Sequence, residues 1–209
     1  AIISRACSAA SGDMTGLPFS LWIFIGIAGS MFVLKALYGL SIALVLPVTR
    51  GALYVSTARR RVDAVLAALD LRPGQRLIDL GCGDGRVLRA AVRRCAIRAE
   101  GYELNPLAYG KARLLCLGKG SITLRRQNFW QADLSAADVV FCYLFPDVMA
   151  SLARKLNREL KAGSTVASCN FPLPGWIPEK ILRPGGPLTN DPVYIYRRSP
   201  PSREPGERQ

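Results

Sequence analysis

The run Leu77-Ile-Asp-Leu-Gly-Cys-Gly-Asp-Gly-Arg86 constrains the fold more than any other stretch of the chain. An apolar strand ends on Asp79, and Gly81, Gly83 and Gly85 then turn the chain into a helix starting near Arg86. With no Cβ in the turn, a ligand can press against backbone N–H groups and the helix N-terminus. Eighteen residues past Gly85, a second apolar segment ends on Glu103 within Gly101-Tyr-Glu-Leu-Asn105. That spacing predicts a carboxylate at the tip of the neighbouring parallel strand, where it can take both hydroxyls of a ribose. A glycine turn followed by such an acid is the signature of a nucleoside-cofactor site.

The spacing also discriminates between cofactors. Dinucleotide enzymes use G-x-G-x-x-G, whereas this chain has G-x-G-x-G, with Arg86 where the third glycine would stand. Asp79 precedes the loop and Asp84 lies within it. Paired carboxylates repel a pyrophosphate and suit the ammonium and sulfonium of S-adenosylmethionine. The stretch resembles motif I of the class I methyltransferases, and Asp79, Gly81, Gly83, Asp84 and Glu103 are the expected cofactor ligands.

Downstream, strand-like runs recur at 76–80, 97–103, 122–126, 138–144 and 164–171, separated mostly by helical segments at 86–95, 106–117 and 148–160. This alternation predicts a Rossmann-like α/β fold, a mostly parallel sheet with helices on both faces. Asn105-Pro106 reads as a helix start, with Asn as N-cap and Pro at the first helical position. A helix over 58–71 precedes the sheet, and 176–182 with 193–198 is expected to add an antiparallel pair. The expected organisation is a tail (1–16), a membrane anchor (17–49), a cofactor-binding domain (50–198) and a disordered Pro- and charge-rich tail (199–209).

The anchor is expected because no charged residue occurs from Leu17 to Leu34, and the apolar character runs on to Thr49 with Lys35 as the one interruption. A window of this length suits a transmembrane helix better than a cleaved signal peptide, which starts nearer the terminus with a clear basic region, or a buried core helix, for which about thirty residues is too long in a domain of this size. One lysine costs about 2.5–3.5 kcal/mol on insertion scales, and each large apolar residue returns roughly 0.3–0.6. Arginines 50, 59, 60, 61, 72 and 76 follow the segment and only Arg5 precedes it. The positive-inside rule then predicts a single pass with the domain in the cytoplasm of a bacterium, or in the matrix of a mitochondrion. The Arg59–Arg61 triplet reads either as a headgroup contact or as a solvated helix face.

The formal charge of +13 implies an anionic partner, and the lipid bilayer fits better than nucleic acid, because no aromatic-interleaved basic stretch is present. There is no His, and the six Cys form no C-x-x-C pair, so neither a metal site nor a disulfide framework is expected. Cys82, Cys142 and Cys169 read as buried small residues. Nothing in the sequence addresses oligomeric state.

Past the third strand, Asn128 is the candidate for reading the adenine edge, with Phe129 as an apolar wall. The fourth strand runs into Cys142-Tyr-Leu-Phe-Pro-Asp147. Tyr143, Phe145, Pro146 and Asp147 are the candidate acceptor-side, catalytic residues, a looser version of the Asn/Asp-Pro-Pro-aromatic motif of amino-group methyltransferases. Asp147 can accept an amine's proton, or simply cap a helix beginning at Val148. Asn170-Phe-Pro-Leu-Pro-Gly-Trp176 reads as a rigid loop shaping the substrate entrance, or as a plain turn.

Together, the apolar segment, Tyr54-Val-Ser-Thr57, the Asp79–Arg86 loop, Gly101-Tyr-Glu-Leu-Asn-Pro106, Asn128-Phe-Trp130 and Asn170–Trp176 carry a resemblance. It extends over roughly residues 17–180. The chain resembles the small membrane-anchored lysine methyltransferases that modify adenine nucleotide translocase and the c-subunit of ATP synthase. The resemblance implies lysine N-methylation of a membrane protein with S-adenosylmethionine as cofactor. Ser56, Cys82 and Asn170 stand where that family commonly has Pro, Ser and Arg, and 143–147 departs from its eukaryotic pattern, which leaves the acceptor open. Alternatives are methylation of a lipophilic small molecule such as a quinone or lipid, a non-catalytic cofactor-binding module, and, more remotely, a nicotinamide oxidoreductase.

Overall fold

Strand β1 (Arg76–Leu80) lies at the centre of a seven-stranded sheet of order β3-β2-β1-β4-β5-β7-β6. The computed structural model describes residues 19–49, 59–184 and 191–199. Its elements are α1 (Phe19–Thr49), α2 (Arg59–Ala68), β1, α3 (Arg86–Arg94), β2 (Arg98–Tyr102), α4 (Pro106–Leu115), β3 (Ile122–Arg125), β4 (Val139–Cys142), α5 (Pro146–Glu159), β5 (Thr165–Cys169), β6 (Lys180–Leu182) and β7 (Val193–Arg197). Strands β1 to β5 are mutually parallel, and β7 runs antiparallel between β5 and β6. The expected doubly wound sheet and its late antiparallel pair are both present. The segment expected as strand from Trp176 begins pairing only at Lys180, because Trp176 instead packs against the core, edge-on to Tyr196.

Strand periodicity explains the two cores. Leu77, Val139, Phe141, Ala167, Cys169, Val193 and Ile195 face α2 and α3, while Ile78, Leu80, Val140, Cys142, Val166 and Tyr196 face α5. Helix α2 contributes Val62, Val65 and Leu66, and α5 contributes Val148, Met149, Leu152 and Leu156. Asp79 shares the parity of Leu77 and therefore faces the α2–α3 side. Strand order reverses between β1 and β4, which are paired with Asp79 opposite Phe141. In open α/β sheets ligands bind at the carboxyl edge beside that reversal.

A polar group on the other face ties β1, β2 and β3 together. Glu100 is buried and accepts hydrogen bonds from Arg76, Arg125 and the Tyr102 hydroxyl, the last at 2.8 Å. Burial alone would raise the Glu100 carboxyl, but these three donors hold it below its ordinary value. The Tyr102 hydroxyl is pushed up to about 12 by burial and by this carboxylate. A depressed acid contributes stability above its unfolded value of about 4.3 and loses it as pH falls through the folded value. Glu100→Gln is expected to cost about 1.5–3 kcal/mol at neutral pH, read by denaturant unfolding, with the difference shrinking toward acid pH.

Helix α1 has 31 residues and is about 46 Å long, and the chain divides into two compact units within it, between Leu40 and Ser41. Its stretch Ser20–Leu40 is long and apolar enough to cross a bilayer. Trp22, Phe24, Phe32 and Leu34 are exposed on it. The expected terminal tails, apart from Ser199, and the Tyr54–Thr57 motif fall outside the described residues.

Candidate functional site

The glycine turn leaves β1 and enters α3 with Gly81, Gly83 and Gly85 all at positive φ (82°, 55° and 71°), a conformation that L side chains rarely adopt. Gly85 is the N-cap of α3 and packs its Cα toward Cys116 and Ala112 of the α4 region. The turn rests on β2 through Gly81 and Cys82, whose N–H groups both donate to the Tyr102 carbonyl at 2.9 and 3.0 Å. Gly101 makes this close approach possible, since a Cβ there would lie 2.5 Å from Leu88 Cδ1 and 2.7 Å from Cys82 Sγ.

Three carboxylates converge on this turn. Asp79 is buried, and its Oδ2 has no hydrogen-bond partner among the described residues. Burial first, then the negative charges of Glu103 and Asp84, raise its carboxyl well above the ordinary range. Glu103, just past β2, accepts from Gly83 N (2.9 Å) and Asn105 N (2.8 Å). Burial raises it, against the opposing pull of these backbone donors. Asp84 is also buried, but its carboxylate turns to Arg86 and Lys111, with the Arg86 N–H at 3.2 Å and Lys111 Nζ at 3.7 Å. Asp84 thus shapes the turn with compensated charge. An orphaned buried carboxylate oxygen at the strand-order reversal needs a cationic or N–H-bearing partner. The ammonium and ribose of S-adenosylmethionine meet that need, so the residues present fit this cofactor.

Asn105 caps α4 as expected, accepting from Leu107 and Ala108 N–H at 2.9 and 3.1 Å, with Pro106 at the first helical position. Beyond β3, Asn128 Oδ1 accepts from Trp130 N at 3.1 Å and so caps a short 3-10 turn over Phe129–Gln131. Phe129 is buried against Trp130, with ring centroids 4.8 Å apart. Phe129 therefore belongs to the core that underlies this edge.

On the acceptor side, α5 begins at Pro146 with Phe145 as N-cap, not at Val148 as expected. Asp147 is consequently an exposed first-turn residue, favourably placed for the helix dipole but not the cap. Proline at the first helical position moves the start forward, because its locked φ already suits the helix. Tyr143 and Phe145 are half-buried, and Pro146 is exposed.

Tertiary contacts add residues that sequence reasoning did not select. Arg61, from the basic triplet read as a headgroup contact or a solvated face, is turned inward and pairs with Asp191. Its other guanidinium nitrogen lies 3.4 Å from Asn170 Oδ1, and its carbon sits 5.5 Å from the Tyr143 ring centroid. Asn170 Nδ2 in turn donates to Tyr143 Oη at 2.9 Å. Arg59 and Arg60 remain exposed, as a solvated face requires. Cys82, Cys142 and Cys169 are buried as expected. Burial pushes the Cys142 thiol up to about 12 and the Cys169 thiol higher.

Comparison with known proteins identifies a family. The model of the ANTKMT methyltransferase domain matches residues 79–180. The chain is 40% identical over 147 residues to the adenine nucleotide translocase lysine N-methyltransferase of Mus musculus, covering 68% of this chain and 62% of that protein. It is 32% identical over 203 residues to the ATP synthase c-subunit lysine N-methyltransferase of Homo sapiens, covering 94% and 84%. Among solved structures, an RNA methyltransferase from Salinibacter ruber in complex with S-adenosyl-L-homocysteine superposes with a TM-score of 0.65 at 31% identity, over 73% of this chain and 98% of that one. The chain belongs to the family of S-adenosylmethionine-dependent methyltransferases that contains the adenine nucleotide translocase and ATP synthase c-subunit lysine N-methyltransferases.

Proposed function

We propose that this protein methylates a lysine ε-amine on a membrane-associated protein. The observation that carries the reading is the edge beside the carboxylate centre, where Tyr143, Phe145, Pro146 and Asn170 supply neutral polar and apolar surface. Such a surface desolvates and orients a neutral amine, which is the form that can act as a nucleophile. The lysine specificity named for both curated relatives supports it.

S-adenosylmethionine, when bound, supplies an activated methyl group on a sulfonium. In this reading Asp79 holds the cationic methionine end and Glu103 holds the ribose. Gly81 and Gly83 admit the cofactor to the backbone, Asp84 fixes the turn, and Asn128 and Phe129 frame the base. Tyr143 orients the acceptor nitrogen between Phe145 and Pro146. Asp147, exposed at the start of α5, receives the released proton together with solvent. The 17–49 segment serves as a single-pass anchor to the lipid bilayer, and residues 50–198 form the methyltransferase domain on the positively flanked side, cytoplasmic or matrix.

Glu103→Gln is expected to weaken cofactor binding by about one to two decades, since one charge-assisted contact is worth about 1.5–3 kcal/mol. Titration with S-adenosylhomocysteine measures this, and unchanged affinity sinks the ribose assignment. The acceptor is tested by incubating the detergent-solubilised protein with methyl-tritiated cofactor and membranes from a strain lacking it. Label on a discrete protein band that yields methyl-lysine on hydrolysis supports the reading. Label only in the solvent extract assigns a lipid or quinone acceptor, nuclease-sensitive label assigns RNA, and cofactor binding without label indicates a non-catalytic module.

A further inference from the structure

We propose that Asn170, held by the Arg61–Asp191 ion pair, positions the Tyr143 hydroxyl to accept an N–H from the acceptor amine. This rests on the lysine reading above. The proposal starts from the polarity of one chain of hydrogen bonds. Arginine is a donor only, so Asn170 must turn its amide oxygen to Arg61 and its NH2 to Tyr143. Tyr143 Oη therefore accepts from Asn170, and one of its two lone pairs remains for another donor. An amine N–H donated there leaves the nitrogen lone pair free to act as a nucleophile.

The surrounding contacts hold this arrangement rigid. Asn170 terminates β5 with φ at 68°, one of two non-glycine residues at positive φ among the described residues. Asparagine tolerates that conformation better than most side chains. Its N–H donates to the Pro192 carbonyl at 2.7 Å, one residue from the Asp191 that pairs with Arg61. The side chain of Arg61 is 12% exposed, so its charge lies out of bulk solvent and its carboxylate partner Asp191 sets its orientation. The same guanidinium covers the Tyr143 ring, so Tyr143 is restrained at both its face and its hydroxyl. Helix α2, the end of β4, the end of β5 and the approach to β7 are thus linked through Arg61, Asn170 and Tyr143.

The test uses Asn170→Gly, which keeps the left-handed backbone and deletes the amide. It is paired with Tyr143→Phe and the double variant. Initial rates of tritium transfer to the membrane protein band are measured at saturating cofactor, with S-adenosylhomocysteine affinity and melting temperature measured in parallel. Each single variant is expected to lose about a hundredfold in rate, the scale of a misplaced reacting group. The double variant is expected to lose no more than either single one, with cofactor affinity unchanged. Arg61→Lys keeps a cation for Asp191 but has no planar fork to serve Asn170 as well, and is expected to lose rate in the same way. A wild-type rate in Asn170→Gly, or fully additive losses in the double variant, overturns the positioning role while leaving the lysine reading intact. Wild-type protein that labels no protein band overturns the lysine reading and this inference together.

Discussion

Asp79→Asn is expected to yield a protein that melts at a higher temperature yet binds its cofactor about ten- to a hundredfold more weakly, the equivalent of about 1.5–3 kcal/mol for a charge-assisted contact. Both effects have one cause. Asp79 is buried, its Oδ2 has no partner among the described residues, and Glu103 and Asp84 add negative charge beside it. The folded protein binds a proton at Asp79 more tightly than the unfolded chain does. Stability of the cofactor-free protein therefore falls as pH rises from about 4 through the raised folded value. Asparagine removes that cost, and each kcal/mol relieved raises the melting temperature by about 2–4 °C in a chain of this size. The gap between variant and wild type widens with pH over the same window. Cofactor affinity of the wild type rises with pH there, because the ionised acid is the form that binds a cation, and this slope disappears in the variant. Calorimetric titration and thermal unfolding across pH 4–9 measure both, and unchanged affinity removes Asp79 from the site.

Gly101→Ala moves both properties in the same direction. The added Cβ would stand 2.5 Å from Leu88 Cδ1, 2.7 Å from Cys82 Sγ and 2.9 Å from Cys82 Cβ. Overpacking of this kind costs about 1–3 kcal/mol. One of the atoms that must yield belongs to the glycine turn itself, and another to the helix that follows it. The turn is hydrogen-bonded to Tyr102 and, through Gly83, to Glu103. Lifting it off β2 therefore disturbs the carboxylate centre as well as the core. The melting temperature is expected to drop by several degrees and cofactor affinity to fall with it, by about tenfold or more. Retained affinity in a destabilised Gly101→Ala would show that the turn and strand β2 are not coupled.

The opposite stability signs of these two substitutions separate a site that strains the fold from a contact that supports it. Asp79 and Gly101 lie opposite each other in the β1–β2 register. The same pair of strands thus carries a side chain that is unfavourable without ligand and a missing side chain that is required for packing. Loss of the first is expected to raise stability while weakening cofactor binding, and loss of the second to lower both.

How much of this was legible in the sequence follows from the range of the interactions. The glycine turn, the Glu103 spacing, the Asn105 cap and the alternation of strands and helices are local patterns, set by φ preferences, capping and apolar period over fewer than about thirty residues. The long apolar helix is legible for the same reason, since length and composition alone define it. The helix start at Pro146 was displaced by two residues, within the reach of a single proline. What remained hidden was long-range. Arg61 meets Asn170 across 109 positions and Asp191 across 130, and no local signal distinguishes it from Arg59 and Arg60. Likewise, the pairing of Asp84 with Lys111, the burial of Glu100 between Arg76 and Arg125, and the orphaned oxygen of Asp79 exist only once the strands are aligned. The sequence by itself determined the fold class and the glycine turn, because backbone conformation and burial period are local properties. Only the tertiary structure decided which charges are neutralised and which polar groups surround the acceptor edge, because those depend on side chains that the chain brings together from its two ends.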